Sequence, residues 1–191
     1  MQHRTYRFRF TRGKNKQKGQ QQIIAGVLAL VLIGIGLYFA VTHFLGAKDT
    51  QASQGATSDL VTMIGNVQKT YQNVSTGYTG VTSATLINNG VVPSELVSGQ
   101  NIMSPFGATP ITVAASTLYT AGDSISFTVQ VPPANCADFA NTMSSNVAKM
   151  TVGGTTIVDT TAGTQLNPTT LGTACAGGGG AQVPVVLIAT R

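Results

Sequence analysis

The most extended pattern along the chain is a run of apolar residues. Residues 23–45 contain no Asp, Glu, Lys or Arg, and only Thr42 and His43 are clearly polar. A helix of this length, at about 1.5 Å per residue, reaches about 34 Å and crosses a hydrocarbon core of about 30 Å. A secretory signal has a shorter apolar region of about 7 to 15 residues. The run therefore predicts a membrane-spanning helix over residues 20–46.

A second helical pattern follows the apolar run without a break. No proline lies between residues 20 and 71, so the simplest interpretation is one long rod. Over residues 50–73 the rod is amphipathic, because apolar positions recur at steps of three and four residues. These positions are Leu60, Met63, Ile64, Val67 and Tyr71. The second half of the rod is therefore expected to pack on a folded head.

Strand patterns occupy the C-terminal part of the chain. They occur at residues 111–115, 124–131, 155–159 and 183–189. In the second of these, Ile125, Phe127, Val129 and Val131 alternate with polar residues, which is typical of an antiparallel sheet with one buried face. The predicted fold class is α+β, with a long N-terminal helix packed on an antiparallel sheet.

The rest of the head, residues 47–191, has weaker signals. Residues 74–109 are rich in Gly, Ser, Thr and Asn and are predicted to be a connecting loop with short helical segments at 83–88 and 94–97. The sheet is expected within residues 110–191. A further helix is predicted there, with Asn135 as the N-cap and an apolar stripe formed by Phe139, Met143, Val147 and Met150.

The distribution of charge changes the meaning of the net charge of +5. Only 9% of the residues are charged, whereas ordinary soluble domains have about 25%. Seven of the eleven basic residues fall within residues 1–19, where no acid occurs: Arg4, Arg7, Arg9, Arg12, Lys14, Lys16 and Lys18. From Gln20 onward the chain has four basic and six acidic residues, a net charge of −2, which argues against nucleic-acid binding. A basic tail retained in the cytoplasm places the head outside it.

Two cysteines, Cys136 and Cys175, lie in the part of the chain that is expected outside the cytoplasm. Oxidising compartments favour disulfides, so we predict that these two residues are bonded to each other. A metal site with two thiolates is the less favoured alternative because no histidine lies nearby in sequence. A redox pair would have the Cys-x-x-Cys spacing, which is absent.

Residues with catalytic chemistry are scarce. The two histidines are His3 and His43, neither of which lies in the predicted head, and Glu95 is the single glutamate. This composition excludes a histidine-dependent hydrolase and a pair of catalytic glutamates in the head. The glycine run 177–180 is not followed by a Lys-Ser/Thr pair, so it has no phosphate-loop signature. We predict no catalytic residue, no metal and no cofactor.

The order of these features resembles the type IV pilins over nearly the whole chain. The basic leader that ends at Lys18-Gly19 is similar to that of the type IVb branch, which includes toxin-coregulated pilin and the major pilins of conjugative thin pili. Three shorter segments add to the resemblance: Lys69-Thr70-Tyr71, Ser104-Pro105-Phe106-Gly107 and Val131-Pro132 ahead of Asn135-Cys136. The resemblance implies a structural filament subunit for adhesion, aggregation or conjugation, and not an enzyme.

The resemblance also implies a maturation pathway. A prepilin peptidase would cut between Gly19 and Gln20, and Gln20 would be the N-methylated first residue of the mature chain. The precursor would lie in the inner membrane, and the pilus assembly machinery would then build copies of the chain into an extracellular filament. The implied filament-core helix has as its members Ile23, Ile24, Val27, Leu28, Val31, Leu32, Ile35 and Phe39.

Two positions depart from the pattern of that family. Most type IV pilins have a glutamate at the fifth mature position, which is Ile24 here, and many begin with a large apolar residue where this chain has Gln20. Archaeal pilins that begin with Gln are a related possibility, and the cysteine pair favours the bacterial type. Two further possibilities are a minor pilin or pseudopilin of a secretion system, and a permanently anchored periplasmic binding or scaffold protein with a single span.

Overall fold

The computed structural model describes residues 55, 57–107, 109–177 and 182–191, which all belong to the unit Ala47–Arg191. The predicted leader, its cleavage site at Gly19 and Gln20, the predicted span and the implied filament-core positions lie outside the described residues. None of the helices in the described part of the chain combines the length and the apolar character needed to span a bilayer.

The first described helix, α1, covers residues 57–71 and ends at Tyr71. The five apolar positions of its predicted stripe are all buried, with exposed fractions between 0% and 7%. They belong to the same core as the buried residues of the sheet. The amphipathic pattern therefore identified the packed face of α1 correctly, and the helix ends two residues before the predicted position.

The segment predicted as a loop has more structure than expected. Helix α2 covers Ser83–Asn88, as predicted, and a 3-10 turn covers Ser94–Leu96. Two short strands follow, β1 over Val97–Ser98 and β2 over Asn101–Met103. The sheet thus begins at Val97 and not near residue 110. Strands of two and three residues are too short to produce a readable alternation, which is why the sequence did not reveal them.

Five longer strands complete an antiparallel sheet: β3 (Pro110–Thr117), β4 (Ala121–Val131), β5 (Lys149–Val152), β6 (Thr155–Asp159) and β7 (Val183–Thr190). Their order in the sheet is β1-β2-β3-β4-β7-β5-β6. The last strand in the chain, β7, therefore lies between β4 and β5. The predicted inward face of β4 is confirmed, because its four alternating apolar residues are fully buried.

Two helices lie in the C-terminal part, α3 over Pro133–Met143 and α4 over Pro168–Ala176. The predicted N-cap at Asn135 is wrong: Pro132 is the cap residue, and a proline at the first position suits the fixed φ of that residue. The predicted stripe is also too long. The helix ends at Met143, and Met150 is a buried residue of β5. The prediction failed because apolar residues spaced by three and four positions also fit a turn followed by a strand.

The sequence prediction missed α4. Its threonine-rich composition has low helix propensity, so no stripe was visible. A local signal was present at its start, where Asn167 Oδ1 accepts hydrogen bonds from the N–H groups of Thr169 (2.9 Å) and Thr170 (3.3 Å). Asn at the N-cap followed by Pro at the first position is a recognised beginning of a helix.

A close contact fastens the segment after α1 to the beginning of β4. The Tyr78 N–H donates a hydrogen bond to the Gly122 carbonyl oxygen at 2.8 Å. Gly77, next to it, has a φ of +60°, and a Cβ at this position would collide with the Gly122 carbonyl. Only glycine satisfies both the backbone conformation and the approach of the two chain segments.

We predict that Gly77→Ala lowers the unfolding free energy by roughly 2 kcal/mol or more, because it adds left-handed backbone strain to a steric collision. The matched control is Gly65→Ala. Gly65 is an exposed helical residue of α1 with open space around it, so alanine there should stabilise the head by about 0.5–1 kcal/mol. Both changes in unfolding free energy can be measured by urea unfolding of the full chain in detergent, monitored by the circular dichroism of its tyrosines. Equal effects of the two substitutions would contradict the proposed contact.

Candidate functional site

Polar contacts tie the C-terminal end of α1 to the end of the sheet. Gln68 Nε2 donates a hydrogen bond to the Thr190 carbonyl oxygen at 2.6 Å. Just after the helix, the Val74 carbonyl oxygen accepts a hydrogen bond from Arg191 Nη1 at 2.9 Å. An apolar stripe alone permits a helix to slide or rotate, whereas hydrogen bonds are directional and define one position. The junction therefore orients α1 on the head.

Two tyrosines lie beside this junction. The rings of Tyr71 and Tyr78 have their centroids 5.5 Å apart and are tilted by 37°. The Tyr71 hydroxyl accepts a hydrogen bond from Asn89 Nδ2 at 3.0 Å, which links α1 to the residue that follows α2. Burial of Tyr78 raises the pKa of its phenol above the ordinary value, so the group stays neutral in the core.

The predicted disulfide is confirmed. Cys136 of α3 and Cys175 of α4 are bonded, with their Cα atoms 5.7 Å apart and a sequence separation of 39 residues. Both residues are buried. Phe139, which lies on α3 with Cys136, meets the ring of Phe106 edge to face with the centroids 5.2 Å apart. The disulfide thus closes a segment, residues 136–175, that contains β5 and β6 and returns to the core at both ends.

A salt bridge holds β5 and β6 together inside this closed segment. Lys149 Nζ lies 2.9 Å from Asp159 Oδ2, and the two residues are opposite each other in the strand register. Asp159 Oδ1 also accepts hydrogen bonds from the hydroxyl (2.6 Å) and the N–H (3.0 Å) of Thr161. The Thr161 hydroxyl and the Lys149 ammonium together hold the pKa of Asp159 well below its usual range. The carboxylate therefore orders the turn after β6.

A second aspartate organises the hairpin between β3 and β4. The Asp123 carboxylate accepts hydrogen bonds from three successive N–H groups, those of Leu118 (2.9 Å), Tyr119 (2.7 Å) and Thr120 (2.8 Å). These bonds, with that from Leu118 the largest contribution, lower the pKa of Asp123 to about 2. The hairpin tip presents the Tyr119 side chain to solvent with 69% of its surface exposed.

A groove lies beside β6 and the segment that follows it. Val158 and Leu166 supply apolar lining, the remaining lining residues are small or polar and uncharged, and the volume of the groove is about 380 Å³. These further residues are Ser144, Thr160, Gly163, Thr164 and Gln165. A polar recess that includes Gln68, Asn146 and Thr190 shares Thr160 with the groove. The groove therefore adjoins the junction of α1 with the sheet.

The described residues offer surfaces for contact, and their acidic side chains with lowered pKa are already engaged within the head. In the described part of the chain, no three His, Cys, Asp or Glu side chains are grouped so that they could hold a metal ion. The carboxylates with lowered pKa are engaged by backbone N–H groups, a hydroxyl and Lys149. Sequence reasoning did not find the contacts of Gln68 and Arg191, because their partners are 122 and 117 residues away in the chain and no local pattern marks them.

Asp123 gives the head a predictable response to acid. Its folded-state pKa of about 2 is lower than the ordinary value of 3.8, so its stabilising effect is complete above pH 4 and is lost as the pH falls toward 2. We predict that Asp123→Asn destabilises the head at pH 7 and makes the loss of stability between pH 4 and pH 2 less steep. Thermal unfolding at stepped pH values measures this slope.

The control for this experiment is Asp138→Asn, which removes an exposed carboxylate of α3 that accepts none of the backbone hydrogen bonds of the hairpin. If Asp123→Asn and Asp138→Asn change the acid slope to the same extent, the hairpin bonds do not produce the effect.

Removal of the disulfide should cost about 4 kcal/mol of unfolding free energy, since it joins residues 39 positions apart in an otherwise small head. The double substitution Cys136→Ala and Cys175→Ala should therefore lower the urea midpoint strongly. A reductant should lower the midpoint of the unmodified chain by a similar amount and leave the double variant unchanged. A double variant that still responds to reductant would contradict this assignment.

Residues 50–189 match the family model described as PilS N terminal. The fold is similar to that in the crystal structure of TcpA, a type IV pilin from Vibrio cholerae El Tor biotype, with a TM-score of 0.56 and 18% sequence identity. The match covers 73% of this chain and 99% of that chain. No curated protein matches the chain.

The two comparisons agree with each other and with the topology of the head. The family model covers well over half of the chain, including α1, strands β1 to β6, all of β7 except Thr190, and both cysteines. The likeness to TcpA, a type IVb pilin, confirms the α+β fold class. The chain therefore belongs to the PilS family of type IV pilins and has the type IVb pilin fold.

Proposed function

We propose that this pilin is the main structural subunit of a type IVb pilus that serves adhesion, aggregation or conjugation. Pilins are structural proteins that polymerise into filaments. In this proposal a prepilin peptidase cleaves after Gly19, and the mature chain begins with Gln20, which becomes N-methylated. The precursor is held in the inner membrane until the assembly machinery transfers it into the extracellular filament.

The observation that carries the proposal is the packing of α1 on the sheet of the head, in a chain whose sequence has an uncharged apolar run ahead of that helix. Helix α1, residues 57–71, is oriented on the head by the Gln68 and Arg191 hydrogen bonds. Residues 23–45 have no charged side chain. Such a segment can be buried either in lipid or among copies of itself, and repeated contacts that do not close into a ring extend into a fibre.

The charge of the mature chain also suits polymerisation. After removal of residues 1–19, only ten charged side chains remain, four basic and six acidic, and the net charge is −2. Mutual repulsion between closely packed copies is therefore small. The head would be exported as an almost neutral, disulfide-closed unit.

One observation favours a second candidate, a minor pilin or pseudopilin. Position 24 is isoleucine, where most major pilins have the glutamate that is thought to pair with the N-terminal amine of a neighbouring subunit. A subunit placed at the tip of a filament has less need of that pairing. Abundance separates the two candidates, since a main subunit dominates the protein of sheared filaments and a minor one is a trace component.

The test of processing is the intact mass of protein sheared from the cell surface. We expect a chain that begins at Gln20, and filaments that contain it as their most abundant protein. A chain that still begins at Met1 would contradict the proposal and would favour the permanently anchored protein.

A matched pair of glycines in the tail makes the test sharper. Gly19→Asp should leave the tail uncleaved and abolish filaments, because it changes the residue at the proposed cleavage site. Gly13→Asp introduces the same charge into the same tail but six residues away, so cleavage and assembly should continue. Equal behaviour of the two variants would place the cleavage elsewhere.

A further inference from the structure

The hairpin tip between β3 and β4 has the properties of a preformed contact. Tyr119 is the one large hydrophobic side chain with high exposure in the described part of the head. The three hydrogen bonds to Asp123 already order the backbone beneath it, so binding through the tip costs little further conformational entropy. Tyrosine is among the residues that most often dominate the binding energy of an interface.

The groove beside β6 has the complementary properties. Val158 and Leu166 offer apolar surface to an aromatic ring, and Thr160, Thr164 and Gln165 offer polar atoms to a phenolic hydroxyl. Its volume of about 380 Å³ lies in the range of about 300 to 1,000 Å³ that accommodates whole small ligands, so an aromatic side chain fits within it. No charged residue lines it.

The tip and the groove are separated by the central strands of the sheet. The tip joins β3 to β4, and β7 and β5 lie between β4 and β6, so three to four strand spacings of about 4.8 Å, roughly 14 to 19 Å, separate the tip from β6. Strands β1 and β2 lie beyond β3, but β2 pairs with β3 at Pro110 and Ile111, the end away from the tip, so no described strand covers β3 beside the tip. Tyr119 therefore cannot reach the groove of its own head, and a contact between the two requires a second copy.

The tip and the groove also lie at the same end of the strands. The tip directly precedes β4, in which Ser124 is opposite Thr190 of β7. The groove lies close to the same end of β7. Its residue Thr160 donates its N–H to the Ala148 carbonyl, and the Ala148 N–H donates to the carbonyl of Ile188 in β7, both at 2.9 Å. Two heads side by side in the same orientation thus bring the tip of one to the groove of the next.

We propose that Tyr119 of one copy inserts into the groove around Val158 and Leu166 of a neighbouring copy in the filament. The inference rests on the proposed function, because parallel packing of the uncharged segment 23–45 would give all copies the same orientation. The contact is heterologous, since two different surfaces meet, and such contacts extend into a fibre when the rotation does not close. With no charged residue on either surface, the contact is insensitive to salt.

Site-directed cross-linking in assembled filaments tests the contact. The full chain carrying Tyr119→Cys with Thr164→Cys is expressed in cells that have the assembly machinery, and sheared filaments are oxidised and run on a gel without reductant. We expect a ladder of covalent multimers that returns to monomer on reduction. Each single variant should give no ladder, because a ladder forms only when every chain carries both cysteines and can be cross-linked to two neighbouring chains.

The control pair is Tyr119→Cys with Thr155→Cys. Thr155 is exposed like Thr164, but it lies at the end of β6 away from the groove, roughly 13 Å along the strand from Asp159. Filaments without a ladder from the Thr164 pair, or an equal ladder from the Thr155 pair, would overturn the contact. If the unmodified chain forms no filaments, the proposed function fails and the contact fails with it.

A second measurement decides the matter if the cysteine variants do not assemble. Tyr119→Ala should lower the yield of sheared filaments about tenfold or more, as truncation of a dominant interface residue does, whereas Tyr119→Phe keeps the ring and should assemble normally. The disulfide of the unassembled variants reports that the head has folded. Normal assembly of Tyr119→Ala with loss of adhesion to host or neighbouring cells would assign the tip to an outside receptor and overturn the contact.

Discussion

The head depends on the burial of the apolar stripe of α1 against the sheet. Leu60, Met63 and Val67 have no exposed surface, and each fully buried side chain of this kind stabilises the fold by about 1.5–3 kcal/mol. The inward face of β4, including Phe127 and Val129, is buried in the same core. Removal of α1 would therefore expose the core of the sheet, so the helix is a part of the head and not an attachment to it.

The position of β7 adds a second constraint. The last strand in the sequence pairs with β4 on one side and β5 on the other, so the sheet is continuous only when the C-terminal residues are in place. The Cys136–Cys175 bond closes the intervening segment that carries β5 and β6. The groove beside β6 belongs largely to this segment. Its shape is thus maintained by a covalent bond and by the salt bridge between Lys149 and Asp159.

Several charged side chains of the head make contacts within it. Asp123 orders the hairpin tip, Asp159 orders the turn after β6, and Arg191, which follows β7, contacts the segment after α1. Each of these groups has a partner within its own head. What remains at the tip and the groove is uncharged surface, which suits contacts among many identical copies better than recognition of a charged ligand.

Features that depend on local periodicity and composition followed from the sequence alone. The apolar stripe of α1 was predictable because it repeats with the 3.6-residue period of a helix, and the buried face of β4 because it repeats every second residue. The disulfide was predictable because two cysteines placed in an oxidising compartment are expected to pair. The end of α3, helix α4 and the short strands β1, β2 and β5 were not, since their patterns are too brief or fit two structures. Other features became evident only in the folded chain. These are the strand order, the hydrogen bond from Gln68 to a carbonyl 122 residues away, and the placement of Tyr119 and the groove at one end of the sheet. Those features arise from contacts between distant residues, which no short stretch of sequence encodes.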